Sequence, residues 1–195
     1  GGVLRWGGGG WFGGGGCVGG LVSMMRLKRF LKHRWVSETT IRQALPPELL
    51  QRLEQRVGAS ERRHSGEIRM CVETSLPLHY LYRDAPTSVL VRDRAIELFS
   101  ELRVWDTANN NGVLIYLLMV EQAIEVVADR GLSPWMNSAD WKRIIADISA
   151  AFRRNDYEGG LTNALEEVSA VLVQHFPVSV GETNPNELPD APIVN

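Results

Sequence analysis

The chain has 195 residues, of which 44% are hydrophobic and 23% are charged, and its formal net charge is −2. This balance predicts one soluble globular domain with ordinary tails. The longest unbroken apolar stretch, Val113–Val120, has eight residues, whereas a membrane-spanning helix needs about 20. Two cysteines, Cys17 and Cys71, are too few for a disulfide framework or a four-thiolate zinc site. Because the sequence shows no secretory signal pattern, we expect a cytoplasmic protein.

The charge is unevenly distributed along the chain. Residues 1–103 carry 16 Lys/Arg against 10 Asp/Glu, whereas residues 104–195 carry 5 against 13. A basic half can indicate nucleic acid or an anionic membrane. Since the basic residues are spread over several predicted helix faces, we interpret them as solvated helix surface and predict no nucleic-acid partner.

The first segment, residues 1–23, is rich in glycine. Twelve of the 19 glycines lie within residues 1–20. Such a segment has few side chains to bury and much backbone entropy to lose, so we predict that it is disordered. Because Met24 and Met25 follow directly, our hypothesis is that translation starts at one of them and that this head is a start-site artefact.

A basic leader follows at residues 24–36. Five Lys/Arg in residues 26–35 accompany apolar residues at helical spacing, namely Leu27, Phe30, Leu31 and Trp35. One interpretation is a short amphipathic anchor for an anionic surface. The alternative is a solvated leader whose apolar groups rest on the domain. We therefore predict membrane contact that is at most peripheral, through residues 26–35, at the inner membrane.

The rest of the chain is predicted to form one domain over residues 37–176, followed by a proline-containing tail at 177–195. Helical spacing and strand alternation define its elements. In chain order we predict a helix at 46–63, a strand at 66–74, a loop at 75–83, a helix at 86–103, strands at 113–120 and 123–129, a helix at 138–154 with Ser138 as its N-cap, and a helix at 157–175.

The strand at 113–120 is apolar on both faces, which is typical of a central strand covered by helices. The strand at 66–74 and the strand at 113–120 are joined through a helix, so we predict a right-handed crossover between parallel strands. The next strand returns antiparallel. The predicted fold class is therefore α/β, as a three-layer α/β/α sandwich with a small mixed sheet.

One cluster of oxygen-bearing side chains is a candidate metal site. Asp106, Asn109, Asn110 and Asn111 precede the central strand, and the hairpin returns Asp129 to the same sheet edge. Carboxylate and amide oxygens suit Ca²⁺ or Mg²⁺. The alternative is that the asparagine run serves only as turn chemistry, with its amides bonding the local backbone.

Four motifs, in order and spacing, resemble those of the TPM-domain family. They are HSGEI at 64–68, NNGVLIYLL at 110–118, IEVVADRGL at 124–132 and FRRNDYEGGL at 152–161. The family includes a thylakoid-lumen acid phosphatase, and the likeness covers residues 38–176. The resemblance implies a Rossmann-like α/β/α sandwich, binding of a divalent cation, and a phosphatase activity reported for some members.

The sequence departs from the family at two positions. The usual Asp-Asn-Gly before the central strand is Asn110-Asn111-Gly112 here, which removes a carboxylate that a metal would favour. Ala128 stands where many members have Gly. Further acidic candidates are Asp140, Asp156 and Glu158; the last two lie at a predicted helix–helix junction, where they can equally act as caps.

The tail, with NELPD at 186–190, resembles a short bacterial subgroup of the family. Such proteins are often encoded beside a membrane-anchored TPM protein and a LemA-family protein, which implies these two as partners.

The favoured function is an accessory or interaction protein that acts with membrane-associated partners in membrane or envelope protein maintenance. The alternatives are a divalent-metal-assisted acid phosphatase, in which Asp106 and Asp129 hold the cation, and a non-catalytic Ca²⁺- or Mg²⁺-binding regulatory domain. We assign no catalytic residue, because the sequence places no nucleophile or general base beside this cluster.

Overall fold

The computed structural model describes residues 27–34, 43–178 and 186–195. The predictions for the head at 1–23 lie outside these residues. Among the helices that the structure describes, none is both long enough and apolar enough to cross a bilayer.

The predicted order of helices and strands is confirmed. A leader helix at 27–34 and a helical turn at 43–44 come first. The domain then contains α1 (Pro47–Glu61), β1 (Ile68–Glu73), α2 (Leu78–Leu81), α3 (Thr87–Glu101), β2 (Val113–Leu118), β3 (Ala123–Ala128), α4 (Ser138–Phe152), α5 (Tyr157–His175) and β4 (Ile193–Val194), with 3₁₀ turns at Met119–Glu121 and Arg130–Leu132.

The strands form one mixed sheet in the order β3-β2-β1-β4. β1 pairs with β2 in parallel, with Ile68 opposite Val113, and the crossover between them runs through α3. β2 pairs with β3 antiparallel, with Val113 opposite Ala128. The predicted parallel crossover and hairpin are therefore both present.

Helices cover both faces of the sheet. One face packs against α1, α4 and α5, whose buried side chains include Leu53, Phe152 and Leu172. The other face packs against α2 and α3 through residues such as Leu90 and Leu98. All six residues of β2 are buried, as expected for a strand that is covered on both sides. This three-layer α/β/α arrangement confirms the predicted fold class.

Two segments differ from the prediction. The segment 75–83 was expected to be a loop, but it contains α2, which begins after Pro77. The tail, for which we predict no element, supplies β4, which pairs in parallel with β1. Neither element is long enough to leave a periodic pattern in the sequence.

The sequence predicts Ser138 as the N-cap of α4, and this prediction is wrong by one residue. The cap is Asn137, whose side chain accepts hydrogen bonds from the backbone amides of Ala139 and Asp140. The Asp140 carboxylate in turn accepts from the Asn137 amide at 3.1 Å, which completes a capping box. Asn and Ser are equally good caps, so their order alone cannot show which one begins the helix.

Candidate functional site

The β2–β3 hairpin brings the asparagine run and Asp129 to one edge of the sheet, as its length predicts. The Asp129 amide donates to the Gly112 carbonyl at 2.9 Å, and the Gly131 amide donates to the Asn110 carbonyl at 2.8 Å. A Cβ atom at Gly112 would collide with the carbonyl of Val104, so the glycine of this motif is required by close backbone packing.

Two buried side-chain oxygens at this edge lack a hydrogen-bond donor among the described residues. Asn111 is fully buried and donates through Nδ2 to the Ser65 carbonyl at 3.0 Å, which leaves its Oδ1 without a partner. Asp129 accepts from the Arg130 amide through Oδ1 at 2.6 Å, and its buried Oδ2 has no donor. Buried acceptors normally have partners, so each of these oxygens is a candidate ligand for a hard cation, which takes oxygen ligands.

The remaining predicted ligands are less favourably placed. The Asn110 Oδ1 atom accepts from Arg130 Nε at 3.0 Å, which brings a positive charge to this edge. Asn109 is exposed, and Asp106 is exposed on the turn that follows α3. Within the part of the chain that the structure describes, no three His, Cys, Asp or Glu side chains form a metal-binding group. Asp129 is thus the carboxylate on which a cation at this edge would depend.

Asp140, Asp156 and Glu158 each have a protein partner. Asp140 belongs to the capping box of α4. Asp156 is the N-cap of α5 and accepts from the Gly159 amide at 2.9 Å. Both oxygens of Glu158 accept from Arg52 Nη2 at 2.9 Å, and both side chains are about half exposed. That these three residues bind a cation stays a prediction.

Histidine approaches the hairpin edge more closely than the sequence indicated. The ring of His175 stacks on that of Trp135, with centroids 4.8 Å apart. The next residue, Phe176, accepts from the Ser65 amide at 2.8 Å, and Ser65 in turn accepts from Asn111. The end of α5 therefore lies beside the candidate cation site, which spacing along the chain could not reveal.

The structure also contains a serine–histidine pair that the sequence did not suggest. Ser60 Oγ lies 2.8 Å from His64 Nε2 and 2.6 Å from Ser169 Oγ. His64 Nδ1 lies 2.9 Å from the Gly66 carbonyl. All three side chains are buried, and burial lowers the pKa of His64 to about 4. The pair has the chemistry of a nucleophile and base but no access to a substrate, so we assign it a structural role.

The leader helix docks on the domain through its polar residues. The Arg29 guanidinium donates to the carbonyls of Leu81 at 3.0 Å and Arg83 at 2.7 Å, at the end of α2. His33 Nδ1 accepts from the Leu76 amide at 3.1 Å, and its Nε2 lies 3.0 Å from Glu121. Both Arg29 and His33 are buried. Helical spacing in the sequence suggested an apolar docking face, so these contacts were missed.

The opposite face of the leader helix carries its leucines. Leu27 and Leu31 are 58% and 48% exposed, and they lie half a turn away from Arg29 and His33. Leu27 and Leu31 therefore do not rest on the domain, whereas Phe30 is half-buried and packs against the core beside α2 and α3. Trp35 lies outside the described residues.

The comparisons with known proteins agree with this fold. A family model described as the TPM domain matches residues 40–171. The chain belongs to the TPM-domain family. This TPM domain is similar to the BA42 protein from the psychrophilic bacterium Bizionia argentinensis, with 24% identity and a TM-score of 0.63 over 76% of this chain and 93% of that one.

A second solved structure, the N-terminal domain of a P. gingivalis protein, has 24% identity to the TPM domain and a TM-score of 0.53, over 69% of this chain and 82% of that one. At these identities the likeness shows the fold alone. No curated protein matches the chain.

Proposed function

We propose that this TPM-domain protein is an accessory module that works at the cytoplasmic face of the inner membrane. It would act with membrane-associated partners, namely a membrane-anchored TPM protein and a LemA-family protein, in the maintenance of membrane or envelope proteins. The outward face of the leader helix is the observation that supports this role.

That face combines exposed apolar groups with basic ones. Leu27 and Leu31 are exposed, and Phe30 of the same helix lies 6.1 Å, centroid to centroid, from the ring of Tyr82, which is itself 68% exposed. Lys28 and Arg34 are exposed on the same helix. Leucines that insert at the headgroup level, together with cations worth about 1 kcal/mol each beside anionic lipid, favour a reversible, salt-sensitive contact.

Vesicle binding by the full chain tests this proposal. We expect co-sedimentation with phosphatidylcholine vesicles that contain phosphatidylglycerol, little binding to phosphatidylcholine alone, and weaker binding at high salt. Replacing Leu27 and Leu31 by serine together should lower the partition coefficient by about tenfold or more, because two apolar side chains lose their burial.

Serine at Val89 and Ile96 is the matched control, because these residues of α3 are 44% and 46% exposed on another surface. Equal binding by the control and the leucine variant would contradict the proposal. Capture of the two proposed partners should likewise depend on the leucines, and it should be unaffected by Asp129→Asn.

A second candidate function is a non-catalytic, divalent-cation-binding regulatory site at the hairpin edge. The unpartnered oxygens of Asn111 and Asp129 support it. If a phosphate ester is a substrate, a cation held by these residues would polarise its phosphoryl oxygens. With one carboxylate among the ligands, we expect binding of Ca²⁺ or Mg²⁺ that is weak and that depends on Asp129.

Calorimetric titration of Ca²⁺ and Mg²⁺ into the full chain tests the site. Saturable heat at millimolar cation or below should be lost in Asp129→Asn and retained in Asp140→Asn, whose side chain caps α4. Identical isotherms for the two variants would argue against the site. A phosphatase assay with the bound ion present then separates regulation from catalysis, since only an enzyme loses turnover in Asp129→Asn.

A further inference from the structure

Residues 186–195, which we call the strap, close the outer edge of β1. Within the strap, β4 pairs with β1 and places Ile193 opposite Cys71. The ladder extends beyond β4, because the Asn195 amide donates to the Val72 carbonyl and the Thr74 amide donates to the Asn195 carbonyl, each at 2.9 Å. An edge strand that would otherwise be open for pairing is thereby covered.

Two charged side chains hold the backbone of the strap. Arg69 Nη1 donates to the carbonyls of Pro189 and Ala191, the latter at 2.9 Å. Glu67 Oε2 accepts from the Leu188 amide at 3.2 Å, and the Leu188 side chain is buried. The strap is therefore bound as an extended segment, mainly through its backbone atoms and one apolar anchor.

A pair of carboxyl groups lies beneath the strap. Glu61, the last residue of α1, is buried; its Oε1 accepts from the Ile68 amide at 2.9 Å, and Asp190 of the strap lies close to its carboxyl group. Gly58 leaves room for this contact, because a Cβ atom there would lie 2.6 Å from Asp190 Oδ2. Two neighbouring carboxyl groups repel each other when both are ionised, so a proton on Glu61 favours the docked strap.

The charges around Glu61 come from three segments. Glu67 precedes β1, Arg69 lies within β1, and Asp190 lies in the strap. Arg69 lies close to the carboxyl groups of Glu61 and Asp190, and its hydrogen bonds go to strap carbonyls. If Glu61 and Asp190 were both ionised, their repulsion would act directly against the docked strap.

We propose that the strap is a proton-controlled closure of the β1 edge, docked while the buried Glu61 carboxyl group keeps its proton and released more readily when that proton is lost. Release opens β1 to strand addition by another extended segment. This inference does not depend on the proposed membrane contact or on the cation site.

The pH range over which the strap opens follows from the linkage between proton binding by Glu61 and docking of the strap. Burial, followed by the charges of Glu67 and Asp190, raises the pKa of Glu61 from 4.5 to about 8 in the docked state, although the Ile68 amide opposes the shift. The pKa returns towards 4.5 when the strap detaches into water. A raised carboxyl pKa stabilises the docked state at low pH, so the opening equilibrium should increase by up to about tenfold per pH unit from 4.5 to 8 and then level off.

Amide hydrogen exchange in the full chain tests the proposal. After correction for the intrinsic pH dependence of exchange, protection of the Leu188 and Asn195 amides should fall between pH 5 and pH 7 by up to about 100-fold. In Glu61→Gln, which keeps the size and the hydrogen-bonding capacity of the side chain without titrating there, protection should be nearly independent of pH. Glu54→Gln, at an exposed position of α1, should behave as the wild type does.

Two results would overturn the proposal. One is a pH dependence in Glu61→Gln that equals that of the wild type. The other is a parallel loss of protection at the Val113 amide, which donates to the Glu67 backbone carbonyl inside the sheet, because this would indicate unfolding of the whole domain. Asp190→Asn provides a second variant, in which the pH dependence should be reduced but not reversed.

Discussion

At the scale of single residues, the buried charges of the sheet are held by a few strong partners. The Glu73 carboxylate, 4% exposed, accepts from Arg94 Nη2 at 2.7 Å and from the Tyr116 hydroxyl at 2.8 Å. Its charge, together with hydrogen bonds to Glu97, raises the pKa of Arg94 against the opposing effect of burial. The Arg94 guanidinium therefore stays charged at all ordinary pH values.

We predict that Arg94→Met lowers the free energy of unfolding by about 3–5 kcal/mol, because it leaves Glu73 as an uncompensated buried charge. Arg92→Met is the control. Arg92 lies two residues away on the same helix, and its exposed ion pair with Glu125, at 3.2 Å, is expected to contribute about 1 kcal/mol or less. Urea denaturation measures both variants, and equal losses would argue against a special role for the buried pair.

The sequence could predict which residues gather at the hairpin edge, because register follows directly from a short turn. It could not predict the partners of Glu73, Arg29 or His33, since these lie on other elements and any acidic or basic residue of the chain was a formal candidate. One signal was available: a strand covered on both faces must pair its charged residues, and β1 carries Arg69 and Glu73.

At the scale of elements, the contact between α4 and α5 depends on a glycine. Gly160 lies in the first turns of α5, and a Cβ atom there would lie 2.5 Å from the ring of Phe152, which is fully buried at the end of α4. Glycine normally weakens a helix relative to alanine by about 1 kcal/mol. Here the close approach of the aromatic ring reverses that preference.

We therefore predict that Gly160→Ala destabilises the domain by about 1–3 kcal/mol, through overpacking against a ring that has no space to move. Phe152→Leu should also be destabilising alone. The double variant should lose less stability than the sum of the two single losses, because leucine at position 152 is smaller and relieves the collision. Thermal or urea denaturation of the four proteins gives this coupling, and stabilisation by Gly160→Ala would contradict the packing described here.

Most helices and strands could be predicted, because apolar periodicity is a local property. α2 and β4 could not be, since four and two residues are too few to show a period and their conformations depend on tertiary contacts. The N-cap of α4 was misplaced for a different reason, because Asn137 and Ser138 are adjacent residues of equal capping ability.

At the scale of the whole molecule, stability should also respond to acid through His64. Its Nδ1 atom faces a carbonyl and its Nε2 atom faces Ser60, so the neutral ring satisfies both contacts. Because the folded pKa of about 4 lies below the ordinary value of 6.5, the stabilisation is complete above pH 6.5 and is lost as the pH falls towards 4.

The expected loss from this group is about 3 kcal/mol between pH 6.5 and pH 4. Glu61 titrates with the opposite sign from pH 4.5 to 8, so the two effects must be separated. The difference in unfolding free energy between the wild type and His64→Gln, measured by urea denaturation across this range, isolates the histidine. A difference that does not change with pH would show that His64 is not kept neutral by the fold.

The topology of the sheet has a consequence for synthesis of the chain. Thr74, beside the end of β1, is hydrogen-bonded to Asn195, which lies 121 positions later in the chain. The strand that covers this edge therefore leaves the ribosome after every other described element. The domain can assemble its parallel pair, hairpin and flanking helices while β1 still has an open side. A nascent chain therefore passes through an interval in which a chaperone, or a neighbouring copy on the same polysome, can pair with that strand before its own tail arrives.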